Sequence, residues 1–396
     1  MQNYKLNEKD ILSYQDWTFP TNTAYGPGRF KEIGDHCNKF GIKNPLIVTD
    51  NGSIKLPFIK DLKELLLKAN LKSDIFSDIS PNPREDEIAV GRKKFRDGKH
   101  DSIIAIGGGS AMDGGKLICL TANNEVPLRD FEFELTPPKI AKDKPFPKII
   151  TIPTTAGTGA ETEITAMVTY LKEGMKFCMW HPDVRPVLAL VDPELTLGLP
   201  SSLTAWTGVD AMVHAIEGYC VPGFHPLCDG SALESLSLIS KSLYLAVEEP
   251  KNLVARGGML IGSYLGGIAF LKGLGNVHAI SHMVGAEFNT QHGLTNAIIL
   301  PVVLKYNLSG MNEKVRRMSE AMQFEEHSVG SFINNIEKIL DRLQIPKSLS
   351  EIGVTEDCTN RIAEKAMKDQ AYATNPKKAT FEDMKEMVLQ SIKKAR

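Results

Sequence analysis

Much is missing from this chain. It has six cysteines in 396 residues, and Cys37, Cys119, Cys178, Cys220, Cys228 and Cys358 form no C-x-x-C pair. That spacing gives no disulfide framework and no thiolate metal knuckle, and reads as reduced, buried thiols of a cytoplasmic protein. Net charge is also missing: Lys plus Arg total 46, Asp plus Glu total 48, and the balance is −2. A near-neutral chain has no bulk attraction to nucleic acid or to an anionic membrane. The first residues, Met1 to Asp10, contain no apolar stretch of the kind a secretory leader needs. The longest uncharged apolar run is Gly257–Leu271, rich in glycine. It falls short of the roughly 20 residues of a membrane span and reads as a close-packed core helix. What is present is ordinary: 42% apolar and 24% charged residues exclude a disordered or collagenous chain. At roughly 150 residues per domain, the length suggests two or three domains.

The first half alternates short apolar runs with amphipathic ones. Pro45–Thr49, Ile75-Phe76 with Ile79, Ser102–Ile106 and Lys148–Ile152 read as buried strands. Leu56–Ala69, Glu85–Asp97 and Asp113–Thr121 read as helices between them. Apolar strands separated by helices predict a parallel sheet covered on both faces. Beyond Asp192-Pro193-Glu194-Leu195 the pattern becomes helical, with helices over Ser202–Cys220, Cys228–Val247, Leu253–Leu271, Val277–Phe288, Thr295–Asn307, Val315–Ala321, Gly330–Leu343, Thr359–Met367 and Phe381–Ala395. The expectation is an α/β domain over residues 1–195 and an all-helical domain over 196–396, with a site in the wedge between them.

Two turns at strand ends carry possible chemistry. Gly107-Gly108-Gly109-Ser110 follows one strand and opens a helix, a place where backbone amides meet a phosphate. Neither famous pattern is met: Met112 stands where G-x-G-x-x-G needs glycine, while Ser110 and Leu117 break a P-loop ending at Lys116. Pro153-Thr154-Thr155-Ala156-Gly157-Thr158-Gly159-Ala160-Glu161 follows another strand and is read as a strand-to-helix turn rich in hydroxyls. A glycine-rich structural turn and hydroxyl helix caps are the plain alternatives. Two such turns on one sheet edge point to a nucleotide. Asp50 closes the first strand, where a carboxylate accepts from ribose hydroxyls and repels a 2′-phosphate, though Asp-Asn-Gly is also a good turn.

Of nine histidines, His36, His100, His181, His225 and His327 have no partner at metal-ligand spacing. Asp210 and His214 stand at i, i+4 on one predicted helix, His278 and His282 repeat that spacing on a later one, and His292 follows the turn Asn289-Thr290-Gln291. Such groups on apolar helices are costly to bury unless paired or metal-bound. One oxygen and three nitrogens suit Fe(II), Zn, Co or Ni. Spacing alone leaves open which of His278 and His282 is the ligand.

These motifs, taken in order, resemble the iron-containing (group III) alcohol dehydrogenase family over nearly the whole chain. The likeness runs from Phe19-Pro20-Thr21 and Tyr25-Gly26-Pro27-Gly28 through Val48-Thr49-Asp50, Pro81-Asn82-Pro83, the two turns above, Asp192–Thr196, Gly208-Val209-Asp210 and His214-Ala215-Ile216-Glu217. It continues through Gly273-Leu274-Gly275 and His292-Gly293 to Asn375-Pro376. The resemblance implies an N-terminal NAD-binding domain and one divalent metal, Fe(II) with Zn possible, held by Asp210, His214, His278 and His292. It implies His282 as a non-ligand beside nicotinamide and substrate. It also implies a dinucleotide site at Asp50, Asn82, Gly108, Gly109, Ser110, Asp113, Thr154, Thr155, Thr158 and Lys176. Ala111 and Gly114-Gly115 depart from the family's usual residues.

The expected activity is reversible hydride transfer between a small alcohol or aldehyde and NAD(H), with His282 relaying the proton, in a cytoplasmic homodimer. Rivals are a polyol dehydrogenase, a cyclising lyase of the same layout and a catalytically silent nucleotide sensor. A lyase would need several cations around an anionic substrate, and the segments around Asp210, His278 and His292 contain only Lys272.

Overall fold

The computed structural model describes residues 21–396. The N-terminal decapeptide and the Phe19-Pro20 part of the first motif lie outside the described residues.

Six parallel strands form the main sheet: β1 (Thr23–Tyr25), β2 (Pro45–Val48), β3 (Asp74–Phe76), β4 (Ser102–Gly107), β5 (Lys148–Pro153) and β8 (Leu188–Val191), in the order β1-β8-β5-β4-β2-β3. The continuous apolar runs follow from burial on both faces. Leu46, Val48, Ile103, Ala105 and Ile149 pack on one side with helices α3 (Glu85–Asp97) and α4 (Gly109–Ala122). Their alternates Ile47, Ile104, Ile106, Ile150 and Ile152 pack on the other with α1 (Ile33–Lys39) and α2 (Pro57–Lys68). From β2 the chain leaves towards β3, and from β4 towards β5 on the opposite side. The carboxyl ends of β2 and β4 therefore flank a switch point, the usual crevice for a ligand in such sheets.

The structure corrects two readings here. Helix α4 begins at Gly109, not Asp113, so the glycine turn is itself the helix start. The threonine-rich turn leads only into a short 3-10 turn, Ala160–Thr162, and then into a β-hairpin of β6 (Thr165–Tyr170) and β7 (Met175–Trp180), not into a helix.

After Val191 and a 3-10 turn at Pro193–Thr196 the chain is helical: α5 (Ser201–Cys220), α6 (Pro226–Glu248), α7 (Leu253–Ala269), α8 (Asn276–Phe288), α9 (His292–Asn307), α10 (Asn312–Ala321), α11 (Val329–Arg342), α12 (Thr359–Ala366), α13 (Gln370–Thr374) and α14 (Phe381–Lys393). They share one continuous apolar core. The apolar run around Gly257 is longer than its sequence suggested. Among the described residues, Leu253–Lys272 is the one stretch long and apolar enough to cross a membrane by length and composition, with mean hydropathy 1.4. Yet 61% of its most apolar window is buried, and it packs between α5 and α6. Its Arg256 is buried too, donating to the carbonyls of Pro250 and Leu199 and to Thr204 Oγ1.

The glycines of α7 let the helical half meet the α/β half backbone to backbone. A Cβ on Gly267 would lie 2.7 Å from the Gly159 oxygen, and Gly159 has φ +64°. Gly267→Ala is expected to lower stability by about 1–3 kcal/mol through overpacking against backbone that cannot retreat. Gly230→Ala, at an α6 position with nothing within 4 Å, is expected to be neutral or to stabilise. Thermal unfolding of the two variants checks both.

All six cysteines are free and buried. Burial pushes the Cys37 and Cys220 thiols up to about 12, the Cys228 and Cys358 thiols up to about 11, and those of Cys119 and Cys178 higher still.

Candidate functional site

A cleft of about 1520 Å³ runs from the carboxyl ends of β2, β4 and β5 to the facing surfaces of α5, α8 and α9. At its α/β end, Gly107 has φ +145°, and a Cβ there would meet Asp50 Oδ2 at 2.8 Å. A Cβ on Gly109 would meet Thr158 Cγ2 at 2.5 Å, so the two turns interlock only through glycine. No side chain caps α4, which leaves its first amides facing the cleft. Gly108, Gly109, Ser110, Thr154, Thr155 and Thr158 all line this end.

Asp50 lines it as well, and its carboxylate also organises the turn. It accepts from the Gly52 and Ser53 amides at 3.0 and 2.9 Å and from Ser53 Oγ at 2.8 Å. The turn reading of Asp50 describes these bonds. Asn82 is held between the two halves. Pro81 and Pro83 line the cleft, while Asn82 is buried and donates to Asn289 Oδ1 at 2.8 Å, tying the two halves together. Lys116 also faces away from any phosphate position, because its ammonium donates to the Ala160 and Thr165 carbonyls.

Asp113 and Lys176 line the middle of the cleft, with Glu163 beside them. Burial lifts the Asp113 carboxyl to about 6, with Lys116 and then Lys176 pulling against it. Burial lowers the Lys176 ammonium to about 8, opposed by Asp113, Asp369 and Asp210. Burial lifts Glu163 to about 7. Lys176 is thus the cation that the fold brings to the centre and that the local sequence windows omitted. It arrives with carboxylates around it. Lys272 is tied to Asp229.

At the helical end, Asp210, His214, His278 and His292 each offer one donor atom, and all four atoms lie within 4.8 Å of one another. His282 stays outside this group, stacked on His292 with ring centroids 5.6 Å apart. The i, i+4 pair on α5 supplies Asp210 and His214. Helix α9 begins at His292 and not at Thr295, with Gln291 accepting the Leu294 amide as cap.

The surrounding bonds fix the imidazoles. His214 Nδ1 lies 3.2 Å from the Gly157 oxygen, and His278 Nδ1 lies 2.7 Å from Glu217 Oε2. Both partners only accept, so in the neutral, ligating form of each ring Nδ1 carries the proton and Nε2 keeps a lone pair. Burial drives His214 down to about 4 and lowers His292 well below its ordinary range, so both rings are neutral at pH 7. Asn296 Nδ2 lies 2.7 Å from Asp210 Oδ1, 3.2 Å from His278 Nε2 and 3.1 Å from His292 Nε2. His292 Nδ1 and Asn296 Oδ1 are buried with no hydrogen-bond partner. Neutral imidazole lone pairs converging on a buried carboxylate fit a divalent cation and suit little else.

Three contributors escaped sequence reading. Glu217 was visible only as part of a motif. Asn296 looked like one polar residue in an apolar helix. Asp369, whose Oδ2 lies 2.8 Å from His282 Nδ1, carried no signal beyond a helix cap.

The chain is similar to known proteins over most of its length. A family profile described as iron-containing alcohol dehydrogenase matches residues 20–193, and one described as Fe-containing alcohol dehydrogenase family, C-terminal, matches 204–392. Alcohol dehydrogenase 4 of Schizosaccharomyces pombe is 34% identical over 370 residues, 92% of this chain and 86% of its own. The NAD-dependent methanol dehydrogenase of Bacillus methanolicus is 31% identical, over 94% of this chain and 98% of its own. A crystal structure of a 1,3-propanediol oxidoreductase superposes with TM-score 0.90 at 32% identity, covering 96% of this chain and all of that one.

Proposed function

This chain belongs to the iron-containing alcohol dehydrogenase family, and from that premise we propose that it interconverts a small, uncharged alcohol and its carbonyl compound with NAD(H). The observation that carries this reading is the convergence of Asp210, His214, His278 and His292 on one point of the cleft whose other end is the glycine-rich turn. Those four residues would hold the cation, Fe(II) or, with the same donors, Zn. Asp50, Gly108, Gly109, Ser110, Asp113, Thr154, Thr155, Thr158 and Lys176 would line the dinucleotide. Asn82 would act from behind, by holding the two walls together.

Bound there, a divalent cation supplies Lewis acidity towards the substrate oxygen, and the nicotinamide supplies a two-electron acceptor for the hydride. Oxidation of the alcohol would release one hydrogen with its electron pair, which a bound nicotinamide would accept, and the other as a proton. The chain's own part is to orient and to move that proton. His282 lines the cleft and commits Nδ1 to Asp369, which leaves Nε2 to take the hydroxyl proton and pass it to solvent. Val277, Ala279, Ile280, Met283 and Val284 of the same helix are buried in the apolar core and anchor it.

The balance of charge argues for a neutral substrate. Lys176 faces Asp113, Asp369 and Asp210, so no cationic cradle is left for an anionic one, which also argues against the lyase. Free, buried cysteines suit a reducing cytoplasm, and homodimeric assembly follows the family resemblance.

Asp50→Gly is expected to raise kcat/KM with NADP about tenfold or more, by removing repulsion of a 2′-phosphate, and to weaken NAD use. Steady-state kinetics with both cofactors checks it. The function itself is tested by anaerobic purification, metal analysis and an alcohol and aldehyde panel with NAD and NADP. NADH binding without turnover in any metal form would instead favour a silent nucleotide sensor.

A further inference from the structure

Asp369 is the residue before the short helix α13, and it is buried at 7% exposure. Its two carboxylate oxygens do separate work. Oδ1 accepts the Ala371 amide at 2.8 Å and caps α13. Oδ2 lies 2.8 Å from His282 Nδ1, in a pair whose side chains are only 2% and 5% exposed. The next residue, Gln370, lines the cleft together with Cys178 of the β6–β7 hairpin. The histidine ring is also fixed from its other side, stacked on His292 at an interplanar angle of 14°.

A carboxylate accepts and does not donate, so the proton of the neutral imidazole sits on Nδ1. The lone pair is then on Nε2, the nitrogen left for the cleft. We propose that Asp369 is the positioning residue of the reaction: it holds His282 in the Nδ1–H form, with an acceptor turned towards the substrate hydroxyl. This rests on the reading of His282 as the proton carrier. In alcohol oxidation the hydroxyl proton passes to Nε2 and then to solvent, while the hydride leaves for NAD. The opposite tautomer would present an N–H where an acceptor is required.

Asp369→Asn separates orientation from shape. The amide oxygen can keep the Ala371 cap, which turns its NH2 towards His282 Nδ1. That nitrogen must then accept, and the ring proton moves to Nε2. In the zinc-loaded, full-length protein labelled with 15N-histidine, long-range 1H–15N correlation reads the tautomer, with His282 assigned by its loss in His282→Gln. The native protein should show the Nδ1–H form and Asp369→Asn the Nε2–H form.

In kinetics, Asp369→Asn should lower kcat by about 10²–10³-fold, raise the solvent isotope effect and leave bound metal and KM for NAD unchanged. In a His282→Gln background the same substitution should cost no further activity. If Asp369→Asn does not fold, Asp369→Ser keeps a capping hydroxyl and removes the charged acceptor, and native-like tautomer preference in that variant would overturn the proposal. So would an unchanged His282 tautomer in Asp369→Asn, or an equal loss in the His282→Gln background. Should the native protein oxidise no alcohol with any metal, the proposed function fails, and the tautomer measurement still decides the role of Asp369.

Discussion

Asp210→Asn should yield a folded protein that loses its metal on desalting and oxidises alcohol about 10³-fold more slowly than the native enzyme. Asp210 is the one charged donor among the four, and the other three are imidazoles. Without it the cation meets neutral nitrogens only, in a pocket where Lys176 already adds positive potential. Shape is spared, because Asn296 lies 2.7 Å from Asp210 Oδ1 and an amide of the same size can stay bonded to it. The stability change should reverse sign with metal. With the cation bound, the native protein is the more stable. After chelation, a buried carboxylate without its counter-ion is a liability, and Asp210→Asn should unfold at the same temperature or higher. His292→Ala should lose metal similarly. Metal analysis after gel filtration, with melting curves with and without chelator, measures all of this, and retained metal with full turnover in either variant would sink the ligand assignment.

The second large effect lies one shell further out. Glu217, on α5, is 4% exposed. It accepts from the Gly275 and Val277 amides at 3.1 and 2.8 Å and, at 3.4 Å, from the His278 amide. These belong to the start of α8, which has no side-chain cap of its own. The same carboxylate accepts the hydrogen bond from His278 Nδ1. One charge therefore caps a helix, complements its dipole and orients a donor. Glu217→Gln replaces an acceptor-only group by one that must turn a donor towards other donors. Metal affinity is expected to fall 10–100-fold and stability by about 2–4 kcal/mol. The contrast with Asp210→Asn is diagnostic. Excess metal should restore much of the turnover of Glu217→Gln, since all four ligands remain, and should restore none to Asp210→Asn. Metal titration of both variants, followed by activity, makes the comparison.

The sheet was readable because burial on both faces leaves unbroken apolar runs such as Ser102–Gly107, and those runs end in glycines and threonines. Most helices of the second half were readable as long apolar or amphipathic runs, α11 and α12 most clearly, while the five-residue α13 was too short to read. Asp210 and His214 stood out because a carboxylate and an imidazole one turn apart are conspicuous among Val209, Met212 and Val213. What failed was local conformation and distant pairing. The α4 start fell within glycines, whose weak helix propensity hides a helix that the sheet packs into place. The β6–β7 hairpin is short and half-buried, and its pattern Thr165–Tyr170 is irregular. Asn289 has φ +52° and closes α8, so the segment read as a turn before His292 is shared by the end of one helix and the cap of the next. In Pro81-Asn82-Pro83, residue type cannot say which side chain points into the cleft. Asp369 meets His282 across 87 positions of sequence, a pairing that only the folded chain displays.

The six shielded thiols have a practical corollary. With every sulfhydryl buried and its acidity suppressed, the native chain offers alkylating reagents almost no thiolate at neutral pH. Labelling must wait for the chain to open, so the rate at which a reagent such as iodoacetamide marks each cysteine is a clock for local unfolding. Cys37 times the α/β half, Cys220 and Cys228 the α5–α6 corner, and Cys358 the entry to α12. The protein thus carries its own set of opening reporters, spread over both halves.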